Sequence, residues 1–262
     1  MRSQIFLKLK LFFFTLLSLA ILIGCEEETP NEPPAQDFPD YYPDGSGSTF
    51  KYSVTEKDSV GNILQSGTRN ILFSGSYNLN GIDYTTQDDS LDFGSQSNVA
   101  TYLFRKTETA VFYAVDTSQI AQLIPDTLKQ FVTLRDEMQL LFYPLTTGSS
   151  WSLYRITAQV QPGIEVKILD IAASFVVTEQ IDLNLTSGTK NVTAQKVKYT
   201  VELYSEIGSP PQTYTAFMWY AADVGLVKFE GNQFVVNIGG GGIIFEPSPN
   251  ILTQEIIDFN SE

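Results

Sequence analysis

The chain contains no histidine and a single cysteine among its 262 residues. The first absence removes the commonest general base and the commonest metal ligand together, and with them Ser-His-Asp, Cys-His and His-containing zinc chemistry. The second removes disulfides, because Cys25 has no partner in the chain. Cationic residues are scarce: 16 Lys plus Arg stand against 30 Asp plus Glu, a net charge of −14. Nucleic acid and anionic headgroups are recognised by cations that meet phosphates, so this balance argues against both as ligands. Chemistry, if there is any, must use carboxylates, Lys, Tyr or Ser, and no cofactor is expected. Long apolar runs are lacking too. The longest, Leu11 to Ile23, spans roughly 20 Å as a helix at ~1.5 Å per residue, short of the ~30 Å bilayer core.

That run is preceded by Arg2, Lys8 and Lys10 and ends in Leu22-Ile23-Gly24-Cys25. A basic n-region, a short apolar h-region and a small residue before cysteine resemble a bacterial lipoprotein signal with its lipobox. The resemblance implies cleavage between Gly24 and Cys25, acylation of Cys25 by the lipoprotein-processing machinery, and membrane attachment through the acyl chains. Two or three chains, at ~0.8 kcal/mol per buried methylene, hold a protein stably where one does not. Loss of residues 1–24 leaves 13 basic residues against 30 acidic, a charge of −17.

From Cys25 to Gly47 the chain is acidic and Pro-rich, with almost no aliphatic residue. This composition predicts a disordered tether over 25–47, some 20 residues reaching ~60 Å at ~3.1 Å each. Glu26, Glu27 and Glu28 have two readings: they keep the tether solvated, or they resemble the acidic signals after cysteine that send lipoproteins of Bacteroidota-type bacteria to the outer face of the outer membrane.

Residues 48–262 read as an all-β, mostly antiparallel body, a curved half-barrel or a sandwich. Phe50, Tyr52 and Val54 alternate with Lys51, Ser53 and Thr55, the period of a half-buried strand. Similar runs recur to Phe259, among them Ile164 to Leu169, Ala173 to Leu185 and Phe234 to Ile238. Asn80-Gly81 is a type I′ hairpin signal. Between 118 and 138, Ile120, Ile124, Leu128 and Phe131 fall at helical spacing around Pro125, which predicts a short helical patch, split or started at the proline. Two echoes suggest two related β units, with halves 48–140 and 141–262. Tyr42-Pro43 with Gly47-Ser48-Thr49-Phe50 returns 101 residues later as Tyr143-Pro144 with Gly148-Ser149-Ser150-Trp151, and Thr109 to Ala114 resembles Thr215 to Ala221.

Tyr143-Pro144-Leu145, Gly148, Trp151, Trp219-Tyr220 and Val224-Gly225-Leu226-Val227-Lys228 resemble segments of uncharacterised bacterial envelope lipoproteins. The resemblance implies a β-rich envelope protein and no activity. A fold-level likeness to lipoprotein-carrier half-barrels adds one ligand class, acyl chains. Asp88, Ser90 and Asp92 place oxygens at alternate positions as a calcium loop does, although Phe93 and Val99 stand where an EF-hand needs Gly and Glu. Ser48 to Lys51 and Ser187 to Lys190 match Ser-x-x-Lys without its helix or partner motifs. Gly239 to Gly242 lacks the following helix and lysine of a phosphate loop. Asp170, Glu179, Glu202 and Glu230 are the carboxylates from which a glycan-acting pair would be drawn. The expected function is therefore a lipid-anchored envelope protein, outer-membrane and non-enzymatic, that binds a protein, saccharide or apolar ligand. The rivals are a carboxylate enzyme acting on glycans and a lipid carrier.

Overall fold

The computed structural model describes residues 38–94, 97–121, 124–204, 209–235 and 248–261. Among them the sequence alternation becomes twelve strands: β1 (Thr49–Lys57), β2 (Ile63–Leu79), β3 (Ile82–Asp92), β4 (Ser97–Lys106), β5 (Ala110–Ala114), β6 (Glu137–Phe142), β7 (Ser150–Gln161), β8 (Ile164–Leu185), β9 (Gly188–Leu203), β10 (Gln212–Ala221), β11 (Gly225–Asn232) and β12 (Ile251–Asn260). They form one antiparallel sheet in the order β6-β5-β4-β3-β2-β1-β12-β11-β10-β9-β8-β7. Every strand therefore pairs with its sequence neighbours except at β6/β7, and the first pairs with the last, Thr49 opposite Asn260. A meander that joins its own ends closes into a barrel, and only the β6/β7 seam lacks a ladder.

Side chains seal that seam. Trp151 Nε1 and Tyr199 Oη donate to the Leu140 carbonyl at 3.3 and 3.2 Å, and Tyr154 Oη donates to the Arg135 carbonyl at 2.8 Å. Val132 bridges to Ala158 of β7, which brings the β5–β6 connection across the gap. Here the expected helical patch shrinks to one turn, α1 (Thr117–Ile120), and a 3₁₀ turn at Lys129–Phe131, on either side of Pro125. At its end the expected patch gives way to β6, whose Met138, Leu140 and Leu141 reach the core.

Inside, the wall is apolar and aromatic. Phe50, Tyr52 and Val54 of β1 are at most 4% exposed, while Lys51 and Ser53 between them face solvent. Phe50, Phe73 and Phe104 pack along the interior edge-on or tilted, with ring centroids 5.1–5.7 Å apart. An apolar interior with a polar outer face reverses the pattern of a membrane-spanning barrel.

The two halves share their corners. Gly47 and Gly148 take φ of +97° and +91°, a region that glycine enters without steric cost. Just after them, the Ser48 carbonyl accepts from Phe73 N at 3.0 Å and the Ser149 carbonyl accepts from Phe175 N at 2.9 Å. Each second strand then bulges, between Phe73 and Gly75 and between Phe175 and Val177. The other echo is coincidental, since Thr109 to Ala114 leads into the fifth strand of its half and Thr215 to Ala221 lies in the fourth. The halves are not separate bodies: residues 38–262 pack as one unit.

Three further expectations change. The runs at 164–169 and 173–185 are one strand, β8, because no glycine or proline interrupts Asp170-Ile171-Ala172. Residues 233–235 are helical where a strand was expected, and the rest of that run, with Gly239 to Gly242, lies outside the described residues. The tether is shorter than composition implied, since residues 38–47 pack against the barrel. Phe38, Tyr41 and Tyr42 supply the apolar surface that the acidic and Pro-rich average concealed. Cys25 and residues 26–37 lie outside the described residues.

Close approach of β10 and β11 depends on Gly231. A Cβ there would lie 2.3 Å from Ala216 Cα and 2.7 Å from the Thr215 carbonyl oxygen. Gly231→Ala is expected to cost about 2–4 kcal/mol through overpacking and strain, read as a lower urea midpoint at unchanged slope.

Candidate functional site

The outer wall does not assemble the expected sites. Asp88, Ser90 and Asp92 lie at alternate positions of β3 rather than in a loop. Two residues along a strand span about 6.6 Å, too far for three oxygens to meet one ion at ~2.4 Å. Asp88 instead accepts from Thr101 Oγ1 at 2.7 Å and Asp92 from Gly94 N at 2.7 Å. Among the described residues no group of three or more His, Cys, Asp or Glu is placed to hold a metal. Asp170 and Glu202 do face each other across β8 and β9. Asp170, however, is engaged by Arg155 at 2.8 Å and Lys167 at 3.4 Å, and Glu202 accepts from Tyr204 Oη at 2.7 Å. Glu179 and Glu230 pair with Lys196 and Lys228 at 3.5 Å each. These four carboxylates are thus parts of ion pairs and hydrogen bonds on the wall.

Polar groups concentrate inside the barrel. The phase that buries Ile71 and Phe73 of β2 also turns Arg69 inward, and in β3 the phase of Gln87 carries Asp89 with it. Arg69 Nε donates to both Asp89 oxygens at 2.9 Å, Nη2 contacts Oδ2, and Nη1 donates to Gln254 Oε1 of β12 at 3.1 Å. Burial opposes the guanidinium charge, but the adjoining carboxylate outweighs it and raises the Arg69 pKa. This buried fork crosses β2, β3 and β12, on both sides of the β1/β12 closure.

Above the fork lies a strap, residues 38–48, that enters the barrel before β1. Tyr42 Oη donates to Gln87 Oε1 at 2.9 Å and contacts Tyr113 Oη, which donates to the same oxygen at 2.7 Å. Burial pushes the pKa of both phenols well up. Lys106 clamps the strap from β4, donating to Asp40 Oδ2 at 2.9 Å, Asp44 Oδ1 at 2.7 Å and the Tyr42 carbonyl at 3.0 Å. Across the opening, Asp223 N donates to the Asp40 carbonyl at 2.7 Å. Pro43 lies against Gly225, close enough that a Cβ there would be 3.2 Å from its Cδ.

Between strap and fork, Tyr42, Tyr52, Arg69, Gln87, Tyr113 and Tyr220 border a cavity of about 40 Å³. That is room for a few waters, well below the ~300–1,000 Å³ of small-molecule sites. An acyl chain does not fit this cavity. Sequence reasoning missed Arg69, Asp89 and the strap. The available signal was phase: a charge in register with inward-facing Ile71 and Phe73.

No protein-family model matches the chain, and no curated protein sequence does. Solved structures share parts of its geometry. A candidate lipoprotein of Parabacteroides distasonis is 16% identical over 86% of this chain and all of that one, with a TM-score of 0.47. A candidate exported protein of Bacteroides fragilis with a YmcC-like fold is 12% identical over 84% of this chain and 98% of that one, at 0.43. The hypothetical lipoprotein YmcC of Escherichia coli is 11% identical over 81% and 87%, at 0.31.

Proposed function

We propose that this chain is a lipid-anchored protein of the bacterial outer membrane whose barrel is a non-enzymatic interaction module. The observation that carries the reading is Cys25, the only cysteine, directly after a small residue and a short apolar run. The strap supports it from the other side. Only twelve residues separate Cys25 from Phe38, at most about 45 Å of extended chain. Such a short tether keeps the module close to its membrane and leaves its outer wall free for contacts. The filled interior and the ion-paired carboxylates favour contacts at that wall over catalysis or transport. The acids after Cys25 favour an outer-membrane address.

Metabolic labelling with an alkyne fatty acid tests the anchor. Label is expected on the wild-type chain and absent from Cys25→Ser; an unlabelled wild-type chain overturns the proposal. Protease treatment of intact cells reports the face, with degradation expected for a surface-exposed barrel.

A further inference from the structure

Beyond the barrel wall, β2 and β3 continue as a two-stranded arm. β1 pairs with β2 only as far as Leu72, and β4 pairs with β3 only from Thr85 onward. The arm ends in Asn80-Gly81, with φ of +53° and +85° and Leu79 opposite Ile82. A two-residue turn makes Leu79 and Ile82 a hydrogen-bonded pair, so alternation turns the N–H and C=O of Asn78 and Ser76 away from β3. Among the described residues no strand pairs with that edge.

The other half shows how such an arm is protected. β8 and β9 also run past their neighbour, since β10 ends at Ala221 opposite Ala194. This second arm carries Glu179 and Asp182, buries Leu183, and is fastened to β12 by Thr186 N donating to the Ile257 carbonyl at 2.8 Å. Among the described residues nothing fastens the first arm's edge to the barrel, and the bulge between Phe73 and Gly75 lies only at its inner end. From Ile71 to Ile82 there is no charged residue and no proline, two of the devices by which edge strands are blocked. Tyr77 is 53% exposed and Ile82 41%.

We propose that this edge is a self-association surface, on which the Ser74 to Leu79 stretches of two copies pair antiparallel about a two-fold axis that sets Ser76 opposite Ser76 or Asn78 opposite Asn78. An antiparallel edge meeting its own copy caps both free edges at once, and requires only that neither carry a repelling charge. The charge of −17 on the processed chain does not forbid it, because exposed charges are screened beyond about 8 Å at physiological salt. A six-residue pairing is smaller than a standard interface of ~1,200–2,000 Å², so the dimer is weak in dilute solution. It is strengthened on a membrane, where anchoring raises local concentration. That strengthening rests on the lipid anchor; the pairing itself does not.

Cross-linking in cells tests it on the full chain. Ser76→Cys and Asn78→Cys, made singly, place a thiol on the edge, and Thr189→Cys on the second arm is the control. Disulfide-linked dimer is expected from at least one edge variant and not from the control. Adding Tyr77→Lys should reduce that dimer at least about fivefold through like-charge opposition. The unmodified chain separates the two readings, since dimers formed through Cys25 would signal a free thiol and overturn the anchor alone. Edge variants that cross-link no more than Thr189→Cys overturn the self-association, whether the edge is bare, covered by the tether or taken by another protein.

Discussion

Asp89→Asn is expected to lower stability by about 3–5 kcal/mol, because it leaves the Arg69 cation inside the barrel without its counter-charge. Arg69 and Asp89 are 8% and 7% exposed, so bulk solvent does not reach the cation to replace the lost carboxylate. For a domain of this size the change corresponds to a melting point lower by roughly 10 °C. Removing both charges is a different experiment. Arg69→Met with Asp89→Leu exchanges the ion pair for apolar volume, and such exchanges are often neutral or stabilising. Thermal melts of the wild type, Asp89→Asn and the double variant check this. A single variant within about 1 kcal/mol of wild type would mean that Arg69 finds another partner or reaches water. If the double variant proves as unstable as the single one, the pair acts through the geometry of β2, β3 and β12 rather than through charge.

The same fork shows what the sequence discloses and what it conceals. Local signals were legible: the alternation of β1, the turn at Asn80-Gly81, and the glycine corners at Gly47 and Gly148 all appear where the residues put them. Each of these depends on backbone preferences within a few positions. Non-local pairings were not legible. Asp89 is 20 residues from Arg69 and Gln254 is 185 residues away; the β2/β3 hairpin brings the first two together, and Gln254 joins them only through the pairing of β1 with β12. The helical patch expected over 118–138 rested on Ile120, Ile124, Leu128 and Phe131 at helical spacing, and only two short turns of it form, on either side of Pro125. The strap was lost to averaging, since Phe38, Tyr41 and Tyr42 sit among prolines and acids. Their burial depends on a barrel opening that forms around them.

The interior phenols make the second strong prediction, cooperative unfolding in alkali. Tyr52, Tyr113, Tyr199 and Tyr220 are at most 2% exposed. Tyr42 is half-buried as a residue, but its hydroxyl is enclosed between Gln87 and Tyr113. Burial raises the pKa of all five, whereas in the unfolded chain tyrosine ionises near 10. A raised folded pKa means stability that is fully present below pH ~10. It is lost as pH climbs towards the folded values, because the unfolded chain then releases protons that the native one retains. Each such phenol contributes about 1.4 kcal/mol per pH unit, so five give a slope near 7 kcal/mol per unit. A domain worth 5–15 kcal/mol then unfolds within about one to two units above pH 10. Tyrosinate absorbance and near-UV circular dichroism should therefore change together in one steep transition. Tyr42→Phe keeps the ring, removes one ionising hydroxyl and should shallow the slope by about a fifth. If the strap instead detaches as a separate unit, Tyr42 ionises ahead of the barrel. The absorbance change then splits in two, and Tyr42→Phe removes only its first part.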